Sequence, residues 1–135
     1  MFSPNPPYID VDNPVGTYRR TFTVPQNWQG REVLLHFGSI SGYARIYVNG
    51  QQVGMTKASK TPAEFNVTNY LKKGENLLAV QVYRWHDGSY MEDQDFWRLS
   101  GIERDVFLTA YPQTTIWDFF LHAGLDDTYR HGQFR

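Results

Sequence analysis

Apolar and polar residues alternate with a period of two along several short runs of the chain. In the first run, Tyr18, Phe22 and Val24 occupy one face, which is interrupted by Arg20. Because successive side chains of a β-strand point to opposite faces, each such run predicts a strand with one face turned to a core. The runs that predict strands are 18–24, 33–37, 43–48, 51–53, 63–67, 77–83 and 102–110.

Glycine and asparagine separate these runs at short intervals. Asn49-Gly50 lies between two of them, and the positive φ angles of a two-residue type I′ turn suit this dipeptide, so it predicts a β-hairpin. Residues 68–71 predict a single helical turn, and residues 74–76 predict a turn. This punctuation, together with the alternation, predicts an all-β fold.

The pattern changes twice in the second half of the chain. Residues 84–101 form a run that is too long and too irregular for a tight connection, and long loops on a sandwich are often functional. After Tyr111-Pro112, residues 114–123 again predict a strand, which ends at the break in residues 124–127. The sequence therefore predicts a boundary between residues 112 and 113.

Length and composition fit one ordinary folded domain, with 135 residues, 41% hydrophobic and 20% charged. A net charge of −1 without long like-charge runs gives no electrostatic reason to bind nucleic acid or a membrane surface. With no cysteine, disulfides and thiolate sites are excluded. No apolar run reaches the length of a membrane span, and the start of the chain lacks the pattern of a targeting signal.

The long loop and the run that follows it carry a dense set of motifs. They are Arg84-Trp85, Asp87-Gly88-Ser89-Tyr90, Glu92-Asp93-Gln94-Asp95, Trp97-Arg98, Ser100-Gly101-Ile102 and Arg104-Asp105-Val106. This set resembles bacterial β-galactosidases of glycoside hydrolase family two, and the similarity extends from about residue 6 to about residue 123. Within the resemblance, the acidic run 92–95 favours galactosidases over family members that act on glucuronides or mannosides.

This resemblance implies a specific domain layout. Residues 1–112 would form a jelly-roll, galactose-binding-domain-like antiparallel β-sandwich that lacks its upstream part. Residues 113–135 would be a linker and the first strand of a truncated immunoglobulin-like domain. A catalytic (β/α)₈ barrel would follow in a longer parent enzyme, which is expected to be a homo-oligomer of the bacterial cytoplasm or periplasm.

The resemblance also assigns one site residue, Asp95. In the family, the last aspartate of the acidic loop enters the active site of the barrel, where it ligates sodium and contacts galactosyl hydroxyls. Sodium and magnesium are thus the cofactors implied for the parent enzyme. The family also uses an upstream asparagine, which this chain does not contain, and Asn13 is not that residue. Glu92 and Asp93 are either further ligands or loop braces that pair with an arginine at position 84, 98 or 104.

A retaining glycosidase needs two carboxyl groups about 5 to 5.5 Å apart. In the family both belong to glutamates of the barrel, so this chain is expected to contain no catalytic residue and to be inactive alone.

Two alternatives stay open. One is a free-standing carbohydrate-binding module that uses Trp85, Tyr90, Phe96 and Trp97 as a stacking platform, although core packing or contact with the barrel is favoured for these rings. The other is a metal site in the acidic loop. His86 shows no metal-binding spacing and is expected to be a satisfied surface or interface histidine.

Overall fold

The computed structural model describes residues 5–6, 8–9, 11–92 and 95–135. Three single 3₁₀ turns, at Gln26–Trp28, Thr68–Tyr70 and Asp87–Tyr90, join parts of an otherwise all-β chain. Within these described ranges, no helix has the length and hydropathy to cross a membrane. The strands are β1 (Val15–Thr23), β2 (Glu32–Phe37), β3 (Ile40–Ser41), β4 (Tyr43–Val48), β5 (Gln51–Thr56), β6 (Ala63–Asn66), β7 (Glu75–Tyr83), β8 (Gly101–Ile102), β9 (Val106–Tyr111), β10 (Ala123–Leu125) and β11 (Gly132–Phe134).

Two antiparallel sheets pack face to face and form the sandwich. One has the strand order β1-β7-β4-β5, and the other has the order β6-β2-β9. The period-two runs supply the core as predicted, because alternate residues of β2, β4 and β7 are buried between the sheets. The expected jelly-roll antiparallel β-sandwich is therefore confirmed. The core residues include Val33, Leu35, Phe37, Ala44, Ile46, Val48, Val80 and Val82.

The predicted hairpin between β4 and β5 is confirmed. Asn49 and Gly50 have φ angles of 53° and 83°, as a type I′ turn requires. The Asn49 side chain also donates to the carbonyl oxygen of Tyr70 and to Oδ1 of Asn76, each at 2.8 Å. Asn76 is fully buried, and its amide group donates to the carbonyl oxygens of Lys72 and Gly74 at 3.1 Å. These bonds fasten the hairpin to the turn before β7.

The prediction of one strand over residues 102–110 is wrong, because the chain changes sheets inside it. β8 pairs with β3, whereas β9 pairs with β2. Between them, the main chain of Glu103 donates to Ser39, and its carboxylate accepts a hydrogen bond from Lys60 at 2.7 Å. These contacts pull residues 103–105 out of a straight strand, which periodicity alone does not reveal.

The sandwich is closed along one side and open along the other. On the closed side β5 meets β6, where a Cβ on Gly54 would lie 2.5 Å from the ring of Phe65. On the other side, a cavity of about 600 Å³ lies between β1 and β9 and is lined by Tyr18, Phe22 and Leu108 among others. The predicted inner face of β1 is therefore only partly covered, and Tyr18 is 44% exposed.

The predicted strand over residues 114–123 is also wrong. In this segment only Ala123 belongs to a strand, because β10 begins there and pairs with β11. A strand needs a neighbour for its main-chain hydrogen bonds, and within the described ranges residues 114–121 have no neighbouring strand, whereas His122 exchanges two main-chain hydrogen bonds with Arg135. The β10–β11 turn is built on Asp126, which accepts hydrogen bonds from Thr128, Arg130 and His131.

Candidate functional site

The loop of residues 84–100, which we call the acidic loop, leaves the sandwich at the end of β7 and returns at β8. Its first part is a 3₁₀ turn that His86 caps. His86 Nδ1 accepts a hydrogen bond from the main-chain N–H of Gly88 at 3.2 Å, and Ser89 Oγ accepts one from the main-chain N–H of His86 at 3.1 Å. This reciprocal pair satisfies N–H groups that a helical turn leaves free at its start.

Distant parts of the chain fasten this first part from outside. The Asn13 amide donates to the carbonyl oxygen of Trp85 and accepts from its N–H, both at 2.9 Å. The Tyr90 hydroxyl donates to the carbonyl oxygen of Tyr8. Lys57 Nζ lies 2.8 Å from Asp87 Oδ2, and this hydrogen bond lowers the pKa of Asp87. The start of the acidic loop is thus tied to the N-terminal segment and to β5's end.

The second part of the acidic loop is exposed, and it lies beside residues 41–42 and 59–60, with which it lines a small cavity. Arg98 Nη1 donates to the carbonyl oxygen of Glu92 at 3.2 Å, which closes the segment 92–98 at its base. Lys60 Nζ lies 4.2 Å from the centre of the Phe96 ring, a cation–π contact. Several large apolar side chains around this segment are exposed, namely Met91 at 82%, Phe96 at 58%, Trp97 at 77% and Leu99 at 61%.

The described acidic and imidazole groups of the acidic loop do not form a complete metal centre by themselves. In the parts of the chain that the structure describes, no group of three or more histidine, aspartate or glutamate side chains could hold a metal ion. A carboxylate is a suitable hard oxygen ligand for sodium or magnesium, but one carboxylate does not fill a coordination shell. A cation bound here would need most of its ligands from another part of a larger protein.

The sequence matches a known family over most of its length. The family model described as "Glycosyl hydrolases family 2, sugar binding domain" matches residues 2–112. The chain belongs to this family. The resemblance read from the motifs of the acidic loop is therefore confirmed.

Relatives of this family 2 chain are much longer than the chain itself. It is 47% identical over 129 residues to a β-galactosidase of Priestia megaterium, a match that covers 95% of the chain and 12% of the relative. It is 45% identical over 134 residues to a β-galactosidase of Vibrio cholerae, covering 99% and 13%. The chain thus spans only about an eighth of these curated relatives, which contain other domains.

Solved structures of the family share the fold. A β-glucuronidase of an uncultured Clostridium species aligns with a TM-score of 0.73 and 35% identity, covering 82% of this chain and 21% of that one. A Bacteroides uniformis β-glucuronidase aligns with a TM-score of 0.68 and 36% identity, covering 76% and 12%. The fold is therefore shared with proteins named β-glucuronidase, whereas the relatives found by sequence are named β-galactosidase.

In this family 2 sandwich, the charged residues that the sequence predicts for the site have different surroundings. Asp95 is exposed, in the second part of the acidic loop. Asp93 lies outside the described residues. Glu92 is half-buried, and its main-chain carbonyl oxygen accepts a hydrogen bond from Arg98. This bond does not involve the Glu92 carboxylate, so the choice between ligand and loop brace stays a prediction. Arg84 instead lies over the Trp85 ring, 4.8 Å from its centre.

The four aromatic residues of the acidic loop do not share one environment. Trp85 and Tyr90 are half-buried in the first part of the loop, whereas Phe96 and Trp97 are exposed in its second part. A stacking platform of all four rings therefore has no support in this arrangement. The two exposed rings are the ones available to a sugar or to another domain.

His86 differs from the sequence-based expectation. It was expected to be a satisfied histidine at a surface or interface, but its side chain is only 5% exposed, and its Nε2 has no hydrogen-bond partner in the described part of the chain. The sequence contains no common signal for the role of Nδ1, because a capping box usually has Ser or Thr at the first position and Glu or Gln three residues later, whereas these positions are His86 and Ser89. The position of Nε2 depends on tertiary packing, which a local pattern does not report.

Proposed function

We propose that this chain is the sugar-binding sandwich of a retaining β-galactosidase and that it lends Asp95 to the galactosyl site of the whole enzyme. The observation that carries the proposal is an exposed carboxylate in the second half of a loop that side-chain hydrogen bonds fasten at residues 85 and 92. The names of the long relatives support galactosides as the substrate class. The motif run 92–95 supports the assignment of Asp95 in particular.

A carboxylate in this position has a definite chemical use. It accepts charge-assisted hydrogen bonds from sugar hydroxyls, each contributing about 1.5–3 kcal/mol, and it ligates a hard cation such as sodium. The pair of carboxyl groups that cleaves the glycosidic bond would come from the barrel of the same protein. Because one wall of a sugar site contributes little affinity once the costs of association are subtracted, the chain alone should be inactive and bind galactose weakly.

The surroundings of Asp95 support a partner domain in contact with the acidic loop. Large apolar side chains such as Met91, Trp97 and Leu99 expose most of their surface around it. Exposed apolar patches of this kind mark interaction sites, and a catalytic barrel covering them would bring its own site next to Asp95. The parent enzyme is proposed to be a homo-oligomer that also binds magnesium, as the family resemblance implies.

Uncovered apolar surface in two places supports the proposed domain layout. An upstream part of the jelly roll would cover the cavity of about 600 Å³ between β1 and β9. Residues 113–135 would begin a second, immunoglobulin-like domain, since Ile116, Phe119 and Phe120 are more than 70% exposed and would need another layer to cover them.

The decisive experiment replaces Asp95 with asparagine in the complete enzyme. Asp95→Asn removes the charge and keeps the shape, so kcat/KM for galactosides should fall at least about tenfold, since a lost charge-assisted hydrogen bond exceeds 1.4 kcal/mol. Activation by sodium should weaken in the same variant. Asp105→Asn, an exposed aspartate of the same sandwich, is the matched control and should keep normal activity. Near-normal turnover by Asp95→Asn would refute the proposal.

A free-standing carbohydrate-binding module is the second candidate, and it is supported by the exposed rings of Phe96 and Trp97. Under this function the chain alone should bind galactose or an oligosaccharide in calorimetric titration, and Trp97→Ala should abolish the heat signal. The β-galactosidase proposal expects the chain alone to bind galactose too weakly to give such a signal, so one titration separates the two.

A further inference from the structure

Among the described residues, His86 makes a hydrogen bond with one ring nitrogen, Nδ1, and none with the other, Nε2. Nδ1 accepts from the main-chain N–H of Gly88 at 3.2 Å, whereas its distance of 3.5 Å from Asp87 Oδ1 is too long for a good hydrogen bond, so Nδ1 acts as an acceptor and carries no proton. In a neutral imidazole the proton then lies on Nε2, which makes this atom a donor. The atom is buried, and no hydrogen-bond acceptor for it exists among the residues that the structure describes. A buried donor without an acceptor is destabilising, so its retention calls for a specific role.

Glu92 is the group that this donor faces. Its Oε2 lies 3.7 Å from His86 Nε2, slightly beyond hydrogen-bond distance, and its side chain is 27% exposed. A protonated Nε2 cannot ligate a metal ion, so the pair is suited to a contact between an N–H and a carboxylate. Both residues line the same small cavity of about 40 Å³ at the base of the acidic loop.

Glu92 is also the last described residue before Asp95 in the chain. Its N–H donates to the carbonyl oxygen of Gly88 at 2.9 Å, and its own carbonyl oxygen accepts from Arg98 at 3.2 Å. Asp95 lies between Glu92 and Arg98 in the sequence. A shift of Glu92 would therefore displace the point from which the chain continues to Asp95.

Gly88 makes the approach of the two side chains possible. A Cβ at this position would lie 2.7 Å from Cε1 of His86 and 3.7 Å from Oε1 of Glu92. Any larger residue would push the imidazole ring away from its place against the 3₁₀ turn. The glycine thus links the cap of the turn to the position of the ring that faces Glu92.

We propose that His86 is a positioning residue for Asp95, acting through the contact of its Nε2–H with the Glu92 carboxylate. The inference rests on the proposed function, because it gives His86 a role only if Asp95 contacts the substrate. It goes beyond that function by assigning orientation of the acidic loop to a buried side chain that touches neither sugar nor cation.

Two substitutions separate the two nitrogens of His86. His86→Asn places an amide oxygen near Nδ1, which keeps the acceptor for Gly88 but removes the donor toward Glu92. His86→Gln places an amide N–H near Nε2, which keeps that donor and removes the cap. In the complete enzyme, His86→Asn should lower kcat/KM at least about tenfold, since a misplacement of 1 Å can cost about 100-fold. His86→Gln should recover much of this loss, although its thermal unfolding temperature should fall.

The test that distinguishes positioning from a structural role is a double-mutant cycle with Asp95→Asn. If His86 acts through Asp95, His86→Asn should have little further effect on kcat/KM in the Asp95→Asn background. An equal loss in both backgrounds would overturn the inference and leave the proposed function intact. Normal activity of Asp95→Asn itself would instead refute the proposed function. In the chain alone, nitrogen NMR should find the His86 proton on Nε2, and a proton on Nδ1 would also overturn the inference.

Discussion

The core of the sandwich and the acidic loop are held together by different kinds of contact. The core consists of apolar side chains on facing strands, such as Phe37, Ile46 and Val80, each at most 1% exposed. The acidic loop has almost no buried apolar side chain. It depends on single polar contacts to residues that are distant in the sequence, such as the two hydrogen bonds between the Asn13 side chain and the Trp85 main chain. Stability should therefore respond mainly to changes in the core, and the position of Asp95 mainly to changes in the loop.

The largest effect on stability is expected at Phe37. It is fully buried and packs edge-on against the Phe65 ring, with 6.1 Å between ring centres. Phe37→Ala should lower the free energy of unfolding by about 3–5 kcal/mol, measured by urea denaturation. Phe119→Ala, at a site that is 72% exposed, is the matched control and should change it by no more than about 0.5 kcal/mol. Similar losses at both sites would contradict the separation of core from periphery.

A smaller effect is expected at Gly42, next to the point where β7 passes into the acidic loop. Gly42 has a φ angle of +100°, and a Cβ on it would lie 2.3 Å from the carbonyl oxygen of Tyr83. Gly30 has a φ angle of +76° with no atom within 4 Å of its would-be Cβ. Gly30→Ala should cost about 1–2 kcal/mol from backbone strain alone. Gly42→Ala should cost more, on the order of 3 kcal/mol, because the collision adds to the strain.

The two alanine variants should also differ in their effect on the activity of the complete enzyme. Gly42→Ala displaces the main chain from which the acidic loop starts, so in the complete enzyme it should also lower kcat/KM. Gly30→Ala should lower stability only. Equal effects of the two variants on unfolding would show that the contact with Tyr83 has no energetic consequence.

The smallest effect is expected at the β10–β11 turn, which forms a separate two-stranded sheet. Hydrogen bonds from His131 first, and then from Thr128, lower the pKa of Asp126 to about 2. Because the folded-state pKa is below the ordinary value, the ionised carboxylate stabilises the turn above about pH 4, and this contribution is lost as the pH falls toward about 2. Amide NMR signals of Arg130 and His131 should follow this transition while core signals stay unchanged. Asp126→Asn should remove the transition, and a transition that persists in this variant would exclude Asp126 as its cause.

The sequence predicted the core strands well because their pattern is local. Runs 33–37 and 43–48 alternate regularly, and the Asn49-Gly50 turn depends on the backbone preferences of two residues. The errors arose where neighbouring strands decide the outcome. Residues 102–110 alternate as one strand, but contacts of Glu103 with Ser39 and Lys60 divide them between two sheets.

The acidic loop was only partly predictable for the same reason. Its extent and its motifs can be read from the sequence, and the family match over residues 2–112 confirms the resemblance. The roles of Asp95 in sugar and sodium binding stay predictions. The partners that fasten the loop, Tyr8, Asn13 and Lys57, are 30 or more residues away along the chain, and no local pattern links them to it.

The open side of the sandwich has a consequence for the behaviour of the purified chain. Within the described ranges, β1 and β9 each pair along one edge only, which leaves main-chain N–H and C=O groups beside an apolar groove. Unpaired edges of this kind recruit strands from neighbouring molecules. Concentrated solutions of the chain should therefore self-associate edge to edge, and a short peptide strand that occupies the groove should keep the molecules apart.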